Sequence, residues 1–399
     1  MVLAGLAAFG ILSAAQPVLP QIGAEFDVSP SRASWAVSAS TGALALAVLP
    51  SAALAVRWGR VRTMRTGLLL AVLLTALTAV APTFAVLVVL RSLSGVVLAG
   101  VVAVAMGHVG TEVHPRGLGS AIGLYVAGNS LGGRLVTSAA ADGTSWRWGV
   151  GALALAALVA TAAFWLLLPE PVADVSEKAA SRSAGFGELL RTPGLLPLLV
   201  VPFVLMGGFV AVYNYLSYRL AQAPFSLPVA VVGLVFLAYL AGTISSALAG
   251  RLVDVLGRPR VLVAAVLVMV AGLALTLPDR LVLVIVGLVV FTAGFFAAHA
   301  TASGWVPLVA AAGPTGASAF YVCGYYAGSS IFGALLGIAW SRSGWAGLDG
   351  VAAGVGALSV VGLVAALVVT AQTRTRISSP SRAPSSRPSA SPDQNLPGS

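Results

Sequence analysis

Long apolar runs separated by short polar segments extend along most of the chain. Each run has about 20 residues, the length at which a helix crosses a hydrocarbon core roughly 30 Å thick. The runs are continuous rather than alternating, which excludes a membrane β-barrel, and a helix satisfies its own backbone polar groups in lipid. The pattern predicts an all-α membrane protein of twelve spans, at about 2–20, 34–56, 66–82, 84–107, 118–140, 148–168, 194–217, 229–249, 260–277, 281–304, 317–341 and 349–371.

Two polar stretches mark the limits of the predicted bundles. Residues 169–193 separate the sixth span from the seventh and predict a cytoplasmic linker. Residues 372–399 are rich in Ser, Pro and Arg, a composition typical of disordered segments. The chain therefore divides into an N-terminal six-helix bundle over 1–168 and a C-terminal six-helix bundle over 194–371, followed by a disordered cytoplasmic tail.

Composition and charge agree with a membrane protein. Hydrophobic residues make up 58% of the chain and charged residues 9%, whereas a soluble domain has about a quarter of its residues charged. A net charge of +10 would suit a nucleic-acid partner, but these charges lie between spans, so no such partner is expected. With a cytoplasmic N-terminus, the inner segments hold fifteen Lys and Arg and the outer segments five. This asymmetry predicts a multi-pass membrane protein with both termini cytoplasmic.

Two pairs of matching segments indicate a duplicated six-span unit. The sequence "ALAVRWGRVR" after the second span matches "RLVDVLGRPR" after the eighth, with Gly59 opposite Gly257 and Arg60 opposite Arg258. The sequence "YVAGNSLGG" in the fifth span matches "YYAGSSIFG" in the eleventh at nearly the same offset. Two similar halves with one orientation are a known transporter plan, in which the substrate site lies between the halves near the membrane midplane.

These motifs resemble those of the major facilitator superfamily over nearly the whole chain. The loop signature Gly-x-Leu-x-Asp-x-x-Gly-Arg is complete in the second half, at Gly250, Leu252, Asp254, Gly257 and Arg258. The first copy keeps Leu54, Gly59 and Arg60 but has Ala52 and Val56 in place of the leading Gly and the Asp. In the fourth span "RSLSG" keeps Arg91 and Gly95 of Arg-x-x-Gln-Gly and has Ser94 for Gln. The segments "GLYVAGNSLGG" and "LPQIGAEFDVSPSRASWAVSA" are similar to the bacterial drug-exporter and arabinose-efflux branch.

The two loops are predicted to gate the cytoplasmic side. Glycines allow tight turns against neighbouring helix ends, and Asp254 can pair with an arginine or a helix N-terminus in one access state only. The alternative is that the arginines only enforce topology, which we favour for Arg62, Arg65 and Arg260. The predicted gating residues are Arg57, Gly59, Arg60, Gly250, Asp254, Gly257 and Arg258.

Polar side chains inside the predicted spans are the candidates for substrate binding or coupling. Arg91 lies inside the fourth span, where a charge usually faces a cavity or a partner. Arg134, near the outer end of the fifth span, is predicted to reach outward to the membrane surface. His299 titrates near neutral pH and could carry a proton, or could simply pack. The full set is Gln16, Arg91, Gly95, Asn129, Tyr213, Asn214, His299 and Tyr325.

Regularly spaced glycines in the fifth and eleventh spans predict close helix packing. Small residues four positions apart let two helices approach each other closely in a membrane. The predicted packing positions are Gly123, Gly128, Gly132, Gly133, Gly328 and Gly333. A sliding contact between the two halves is compatible with this packing.

The resemblance implies a secondary active transporter of the bacterial inner membrane that works by alternating access of two rocking bundles. The branch implies proton-linked efflux of a small apolar or amphipathic compound, as in multidrug resistance, by an antiporter that is a monomer. Export of a sugar or other metabolite is the alternative within this class, and a non-transporting membrane sensor is the alternative outside it.

The residue types present exclude several other chemistries. The single cysteine, Cys323, excludes a disulfide within the chain and a cysteine-based metal site, so no metal is expected. The spans contain no acidic pair and no Ser/His arrangement, so we predict no enzyme activity and no cofactor. No Gly-x-x-x-x-Gly-Lys motif is present to bind a nucleotide. None of the twelve acidic residues lies in the middle of a predicted span, which leaves His299 as the best proton carrier. Glu25, Asp27 and Glu112 are the alternatives if the helix edges lie elsewhere.

Overall fold

Every regular element in the described part of the chain is helical. The computed structural model describes residues 2–112, 132–167, 195–310 and 314–378. Its helices are α1 (Val2–Ser13), α2 (Leu19–Glu25), α3 (Pro30–Ala33), α4 (Trp35–Trp58), α5 (Arg60–Ala79), α6 (Phe84–Glu112), α7 (described over 132–141), α8 (Trp146–Leu167), α9 (Leu195–Ala221), α10 (Val229–Leu234), α11 (Tyr239–Leu256), α12 (Arg258–Leu275), α13 (Leu281–Val309) and α14 (Pro314–Ser378). We call α1–α8 the first half and α9–α14 the second half.

The described helices confirm the predicted all-α membrane fold. Ten stretches among these residues are long and apolar enough to cross a membrane. Most of the predicted fifth span falls on residues 113–131, outside the described part of the chain. The predicted twelfth span lies in α14 beyond a bend at Gly344, whose φ of 59° and ψ of −145° interrupt the helix. Large apolar side chains such as Leu46 and Leu166 are exposed, as expected of a surface that faces lipid.

The first predicted span is broken near its middle. Helix α1 ends at Ser13, a single 3₁₀ turn covers Gln16–Val18, and α2 begins at Leu19. Pro17 has no backbone N–H, and its ring clashes with the carbonyl one turn earlier, so it disfavours a regular helix at this point. The last carbonyl groups of α1 therefore have no donor in their own helix, and another element has to supply one.

Gly59 and Gly257 form the same one-residue connection in the two halves. Gly59 joins α4 to α5 with φ 89° and ψ 137°, and Gly257 joins α11 to α12 with φ 81° and ψ 152°. A positive φ is adopted readily by glycine and rarely by residues with a Cβ atom, so each turn requires its glycine. The equal geometry at equivalent positions supports the predicted duplication of a six-span unit.

Two arginines cap the C-terminal ends of equivalent helices in the two halves. Arg147 donates to the carbonyl oxygens of Ala79, the last residue of α5, and of Ala81, at 3.0 and 2.8 Å, and pairs with Glu25 at 2.6 Å. Arg219 donates to the carbonyl oxygen of Thr276 beyond α12 at 2.6 Å and pairs with Asp279 at 2.9 Å. A cation at a helix C-terminus satisfies free carbonyl groups and offsets the helix dipole.

Hydrogen bonds between the two halves are concentrated toward one end of the bundle. At this bonded end, where α2 and α9 end and α4 begins, Ser31 Oγ donates to the carbonyl of Ala334 at 3.3 Å. Ser330 Oγ donates to the carbonyl of Ser38 at 2.7 Å, and the Tyr218 hydroxyl donates to the carbonyl of Leu19 at 2.9 Å. The opposite, glycine-turn end contains Gly59 and Gly257, and its described hydrogen bonds are made within each half.

Candidate functional site

A chain of three polar side chains crosses from the first half to the second half inside the bundle. Arg134 on α7 donates from Nε to Gln16 Oε1 at 2.9 Å. Gln16 in turn donates from Nε2 to Asn214 Oδ1 on α9, also at 2.9 Å. Gln16 and Asn214 are almost completely buried, at 2% and 0% exposure, and Arg134 is buried at 9%. Because buried polar groups are costly unless they are hydrogen-bonded, these contacts hold the two halves together here.

The break in the first span explains the position of Gln16. Its backbone lies in the 3₁₀ turn beside Pro17, and its carbonyl oxygen accepts from Ser217 Oγ of the second half at 3.2 Å. Both the side chain and the backbone of Gln16 therefore bond to α9. The prediction that Gln16 and Asn214 lie at midplane positions is compatible with this arrangement, and the structure adds that the two side chains bond to each other.

Arg134 also contacts aromatic rings of the second half. The central carbon of its guanidinium lies 4.7 Å from the ring centroid of Tyr239 and 5.0 Å from that of Phe236. Such cation–π contacts are favourable, and more so away from water. The prediction that Arg134 reaches outward to the membrane surface is wrong, because Gln16 and the two rings offer partners inside the bundle.

The rings around Arg134 belong to an aromatic cluster within the second half. Tyr213 shares a hydrogen bond of 2.7 Å with Thr292 and packs against Phe236 and Tyr239. The cluster contains Phe209, Tyr213, Phe236, Tyr239, Phe291, Phe295 and Phe296. Tyr213 is fully buried, so in this conformation it packs behind Phe236 and Tyr239 and is not itself accessible.

His299 and Tyr325 extend this cluster toward partly exposed positions. His299 Nδ1 is 2.9 Å from the Tyr321 hydroxyl, and its ring centroid lies 4.9 Å from that of Tyr325. Both His299 and Tyr325 are partly exposed, unlike Tyr213. The His299 ring also stacks on Phe295, with 6.0 Å between the ring centroids, which connects His299 and Tyr325 to the aromatic cluster.

Arg91 has a different environment from the one predicted for it. Its guanidinium donates to three backbone carbonyls, those of Ala36 at 2.8 Å, Ile11 at 2.7 Å and Leu12 at 2.5 Å. Ile11 and Leu12 are near the end of α1, where the break at Pro17 leaves carbonyl groups without helical donors. Arg91 is 1% exposed and its described partners are backbone carbonyls, so its predicted role in substrate binding or coupling stays a prediction.

Gly95, one turn beyond Arg91, allows α6 to contact α4 closely. A Cβ atom at Gly95 would overlap the backbone carbonyl of Ser40. Ser40 Oγ donates to the carbonyl of Arg91 at 2.6 Å, which fixes the same contact. Gly95 is therefore a packing residue of the first half, and its predicted place among the substrate or coupling residues stays a prediction.

The predicted gating residues divide into turn residues and exposed charges. Gly59 and Gly257 form tight turns as expected, with Arg60 and Arg258 as the first residues of α5 and α12. Gly250 lies inside helix α11, where a Cβ atom would meet no described atom within 4 Å, so the expected tight turn at this position is wrong. Arg57 and Asp254 are exposed.

Asp254 lies in the last turn of α11 and makes no hydrogen bond or ion pair with the described residues. A contact that forms in only one access state would be absent in the other. The exposed position of Asp254 is compatible with the predicted gate being open in this conformation, and it leaves the gating role a prediction.

The glycines predicted to pack helices do so where the structure describes them. A Cβ atom at Gly133 would overlap the backbone of Gly10, and one at Gly328 would overlap the backbone carbonyl of Phe203. Gly132 lies close to a side-chain methyl of Leu6. Gly333 differs from these, because it separates Ser38 of the first half from Asn214 of the second. The remaining candidates, Gly123, Gly128 and Asn129, lie outside the described residues.

The geometry suits a site whose shape changes when the halves move. Arg134, Gln16 and Asn214 connect the halves through side chains, which can exchange partners. Over the described ranges, no group of three His, Cys, Asp or Glu side chains could hold a metal ion. The sequence identified Gln16, Tyr213, Asn214, His299 and Tyr325 but missed Arg134, Phe236 and Tyr239, which become neighbours only through long-range packing.

Comparisons with known proteins agree with this fold. The sequence model described as Major Facilitator Superfamily matches residues 1–316. The "Inner membrane transport protein YnfM" of Escherichia coli is 38% identical over 371 residues, which cover 92% of this chain and 87% of that protein. The "Uncharacterized MFS-type transporter YybF" of Bacillus subtilis is 36% identical over 352 residues, which cover 87% of each chain.

Solved structures of transporters share the fold at low sequence identity. The nucleoside transporter NupG has a TM-score of 0.72 at 14% identity, and the match covers 92% of this chain and 98% of that one. A bacterial homologue of the human lysosomal transporter Spinster, in an inward-facing and occupied conformation, has a TM-score of 0.68 at 16% identity. That match covers 94% of this chain and 95% of the homologue.

Proposed function

Because the chain belongs to the major facilitator superfamily, we propose that it exports a small apolar or amphipathic compound by alternating access of its two halves. Membrane transport follows from the family and from bacterial relatives that are named as transporters. Efflux, the kind of substrate and the coupling ion are the parts that we propose. Export of a sugar or other metabolite is the competing possibility for the same fold.

The observation that carries the proposal is the polar chain of Arg134, Gln16 and Asn214 between the halves. This polar chain joins the two halves, as do the contacts of Ser31 and Tyr218 at the bonded end. Together these contacts hold the bonded end of the bundle closed. The glycine-turn end carries the exposed Asp254. If both termini are cytoplasmic, as the charge asymmetry predicts, the closed end faces outward and this conformation faces inward.

Aromatic side chains favour an amphipathic compound over a sugar. The rings around Arg134 supply large apolar surfaces, and His299 and Tyr325 are partly exposed beside them. A sugar would need many hydrogen-bonding groups to replace its bound water, because leaving such groups unpaired is costly. We extend the proposal to proton coupling, with His299 as the carrier, because its imidazole can both donate and accept a proton and is partly exposed beside the Tyr321 hydroxyl.

Alternating access is tested by locking the closed end. In a Cys323→Ser background, cysteines at Ser31 and Ala334 replace residues whose Oγ and carbonyl oxygen are 3.3 Å apart. An oxidant that joins them should stop transport of any substrate, and a reductant should restore it. The single variants Ser31→Cys and Ala334→Cys, treated in the same way, are the controls. Full transport by the joined protein would contradict the proposal.

Efflux is tested by the accumulation of a dye in cells, and proton coupling is tested by transport in reconstituted vesicles. Cells that contain the protein should accumulate less of an aromatic dye than cells without it, and a protonophore should remove the difference. In reconstituted vesicles, His299→Ala should abolish uphill transport under a pH gradient and preserve downhill exchange. Uphill transport by this variant would show that His299 only packs.

A further inference from the structure

Asp349 is a buried acid that has no role in the proposed transport cycle. It lies on α14 just beyond the bend at Gly344 and is 3% exposed. Its Oδ2 is 3.2 Å from Thr276 Oγ1, and its Oδ1 is buried without a hydrogen-bond partner among the described residues. An ionised carboxylate in this position would have one charged oxygen without any donor. That costs more free energy than an unpaired oxygen of a neutral carboxyl group.

The hydrogen bonds of Thr276 indicate that Asp349 carries a proton in this conformation. A hydroxyl group has one hydrogen to donate and two lone pairs that accept. Thr276 Oγ1 accepts from Trp345 Nε1 at 2.9 Å, and it lies 2.7 Å from the carbonyl oxygen of Leu273, which can only accept. Its single hydrogen is therefore used by the carbonyl group at 2.7 Å. The contact of 3.2 Å with the carboxyl group is then a hydrogen bond only if the carboxyl group is the donor.

The charged groups that the structure describes around this acid do not form an ion pair with it. Arg219 of α9 donates to the carbonyl oxygen of Thr276 at 2.6 Å and pairs with Asp279, between α12 and α13, at 2.9 Å. Arg280 on the same segment and Arg342 on α14 are exposed. The guanidinium nearest to Thr276 thus neutralises a different carboxylate, and the buried acid is left to be neutral by holding a proton.

A row of aromatic rings connects the acid to the contact between the halves. The ring of Trp345 lies edge-on to that of Trp340, with 6.2 Å between the centroids. Trp340 also contacts Tyr218, with 6.5 Å between the centroids, and Tyr218 bonds to Leu19 of the first half at the bonded end. Because the Trp345 indole donates to Thr276 beside the acid, separation of the halves would disturb the groups that surround the proton.

A cavity at the bonded end provides a route to the acid. It has a volume of about 280 Å³, and Asp279, Trp340 and Trp345 are among its lining residues. The side chain of Asp279 is 65% exposed, so the cavity reaches the surface of the protein. Trp345 lines the cavity and also donates to Thr276, the partner of the acid. A shift of the Trp345 ring would therefore let water approach the carboxyl group.

We propose that Asp349 is a proton-binding site of the bonded end, protonated while this end is closed and ionised while it is open. On opening, the carboxyl O–H bond breaks and the proton passes to water that enters beside Trp345. The Thr276 hydroxyl then turns its hydrogen from Leu273 to the carboxylate. The Leu273 carbonyl oxygen keeps its bond from the backbone N–H of Thr276, at 2.9 Å. Closing takes up a proton and reverses these steps, so a low pH on this side favours the closed end.

This proposal rests on the proposed alternating access and adds a proton-binding group to it. His299 lies inside the second half, beside Tyr321 and Tyr325, whereas Asp349 lies near the segment that ends α12. The two groups therefore bind protons at different places, and each can be tested without the other.

The experiment detects the protonated carboxyl group directly by infrared spectroscopy. The purified full chain is studied in a detergent without ester or carboxyl groups, because these absorb in the same region. At neutral pH the unmodified protein should show the C=O band of a protonated carboxyl group, which shifts in heavy water. Asp349→Asn should lose this band and stay folded, because its amide N–H can donate to Thr276 Oγ1 in place of the carboxyl group. Asp27→Asn, at an exposed position, is the matched control and should keep the band.

The cysteine pair at positions 31 and 334 relates the band to the bonded end. In the Cys323→Ser background, the joined protein should keep the band as the pH is raised, because the closed end holds the proton. After reduction the same protein should lose the band over the same pH range, because the end can open and the ionised form accumulates. Thr276→Val removes the hydroxyl group and should shift the band without abolishing it, which keeps the test valid if Asp349→Asn does not fold.

Three results would overturn the assignment. The unmodified protein could lack the band at neutral pH, Asp349→Asn could keep it, or the joined and reduced proteins could lose it equally as the pH rises. The proposed transport function has a separate test, since joining the cysteine pair should stop transport. If joining stops transport and reduction restores it while the band is absent, alternating access stands and the proton-binding site is wrong.

Discussion

Arg91 and Arg134 are both arginines buried among the helices of the first half, yet their surroundings differ in kind. Arg91 donates to backbone carbonyls of α1 and α4, all within that half. Arg134 donates to the side chain of Gln16 and lies against rings of the second half. Backbone groups of one rigid half keep their positions when the halves move, whereas side chains and the opposite half do not. We infer that Arg91 maintains the fold and that Arg134 serves transport.

This comparison predicts the largest effect for loss of Arg91. Arg91→Leu would remove the guanidinium donor from the buried carbonyl groups of Ala36, Ile11 and Leu12, and a buried carbonyl left without a donor costs about 1–3 kcal/mol. We expect the variant to be degraded or aggregated, and Arg91→Lys to be destabilised as well, because an ammonium group cannot reproduce the planar donors. The yield of monodisperse protein and its thermal unfolding measure the effect.

The matched control for this prediction is Arg342→Gln, at an exposed position, which should behave like the unmodified protein. A folded Arg91→Leu variant with unchanged thermal stability and impaired transport would reverse the roles given to the two arginines.

Loss of Arg134 is expected to affect transport more than folding. Arg134→Gln keeps a side chain that can donate to Gln16 Oε1, so the hydrogen bond at 2.9 Å has a replacement. The cation–π contacts are lost, which lowers the stability of the folded protein by about 0.5–2 kcal/mol. Transport into vesicles should fall by about tenfold or more while the unfolding temperature changes by a few degrees. A variant that unfolds as readily as Arg91→Leu would show that Arg134 is also structural.

Two glycines of α14 also allow a contact within one half to be compared with a contact between the halves, here without any charged group. A Cβ atom at Gly328 would overlap the backbone of Phe203 within the second half, so Gly328→Ala should destabilise the whole protein. At Gly333 the nearest atom is Ser38 Oγ across the interface, which would lie 2.8 Å from an added Cβ atom. Gly333→Ala should therefore push the halves apart at the bonded end and leave each half intact.

The readout for this pair is the accessibility of a cysteine at Ser31, again in the Cys323→Ser background. Gly333→Ala should increase its rate of reaction with an impermeant thiol reagent, because Ser31 lies at the contact with Ala334. Gly328→Ala should lower the unfolding temperature instead. If both variants changed the reaction rate of the cysteine and the unfolding temperature in the same way, the two glycines would not differ in role. Gly333 would then not be distinguished from Gly328 as a contact between the halves.

The sequence was sufficient for the fold because lipid imposes strict rules on it. Long apolar runs predict helices, and Gly59 and Gly257 predicted turns that the structure confirms with positive φ at each. The site was predicted only in part, since whether a buried arginine bonds to backbone or to side chains depends on distant residues. Arg91 meets Ile11 because Pro17 ends a helix, and Arg134 meets Tyr239 because the halves pack together. Neither pairing leaves a pattern at any fixed spacing along the chain.

The smallest effect on the stability of the folded protein is expected at Asp254, which lies at the glycine-turn end. Its carboxylate lies in the last turn of α11, where the helix dipole disfavours negative charge by about 0.3–1 kcal/mol. Because Asp254 is exposed and bonds to no described residue, Asp254→Asn should leave the unfolding temperature unchanged or raise it slightly. A charge that does not stabilise this conformation is explained if it stabilises the other one, in which the glycine-turn end is closed. The variant should therefore transport more slowly and protect a cysteine at Ser31 more strongly, since the state with the bonded end open becomes rarer. Unchanged transport together with unchanged protection would reduce Asp254 to a charge on the membrane surface.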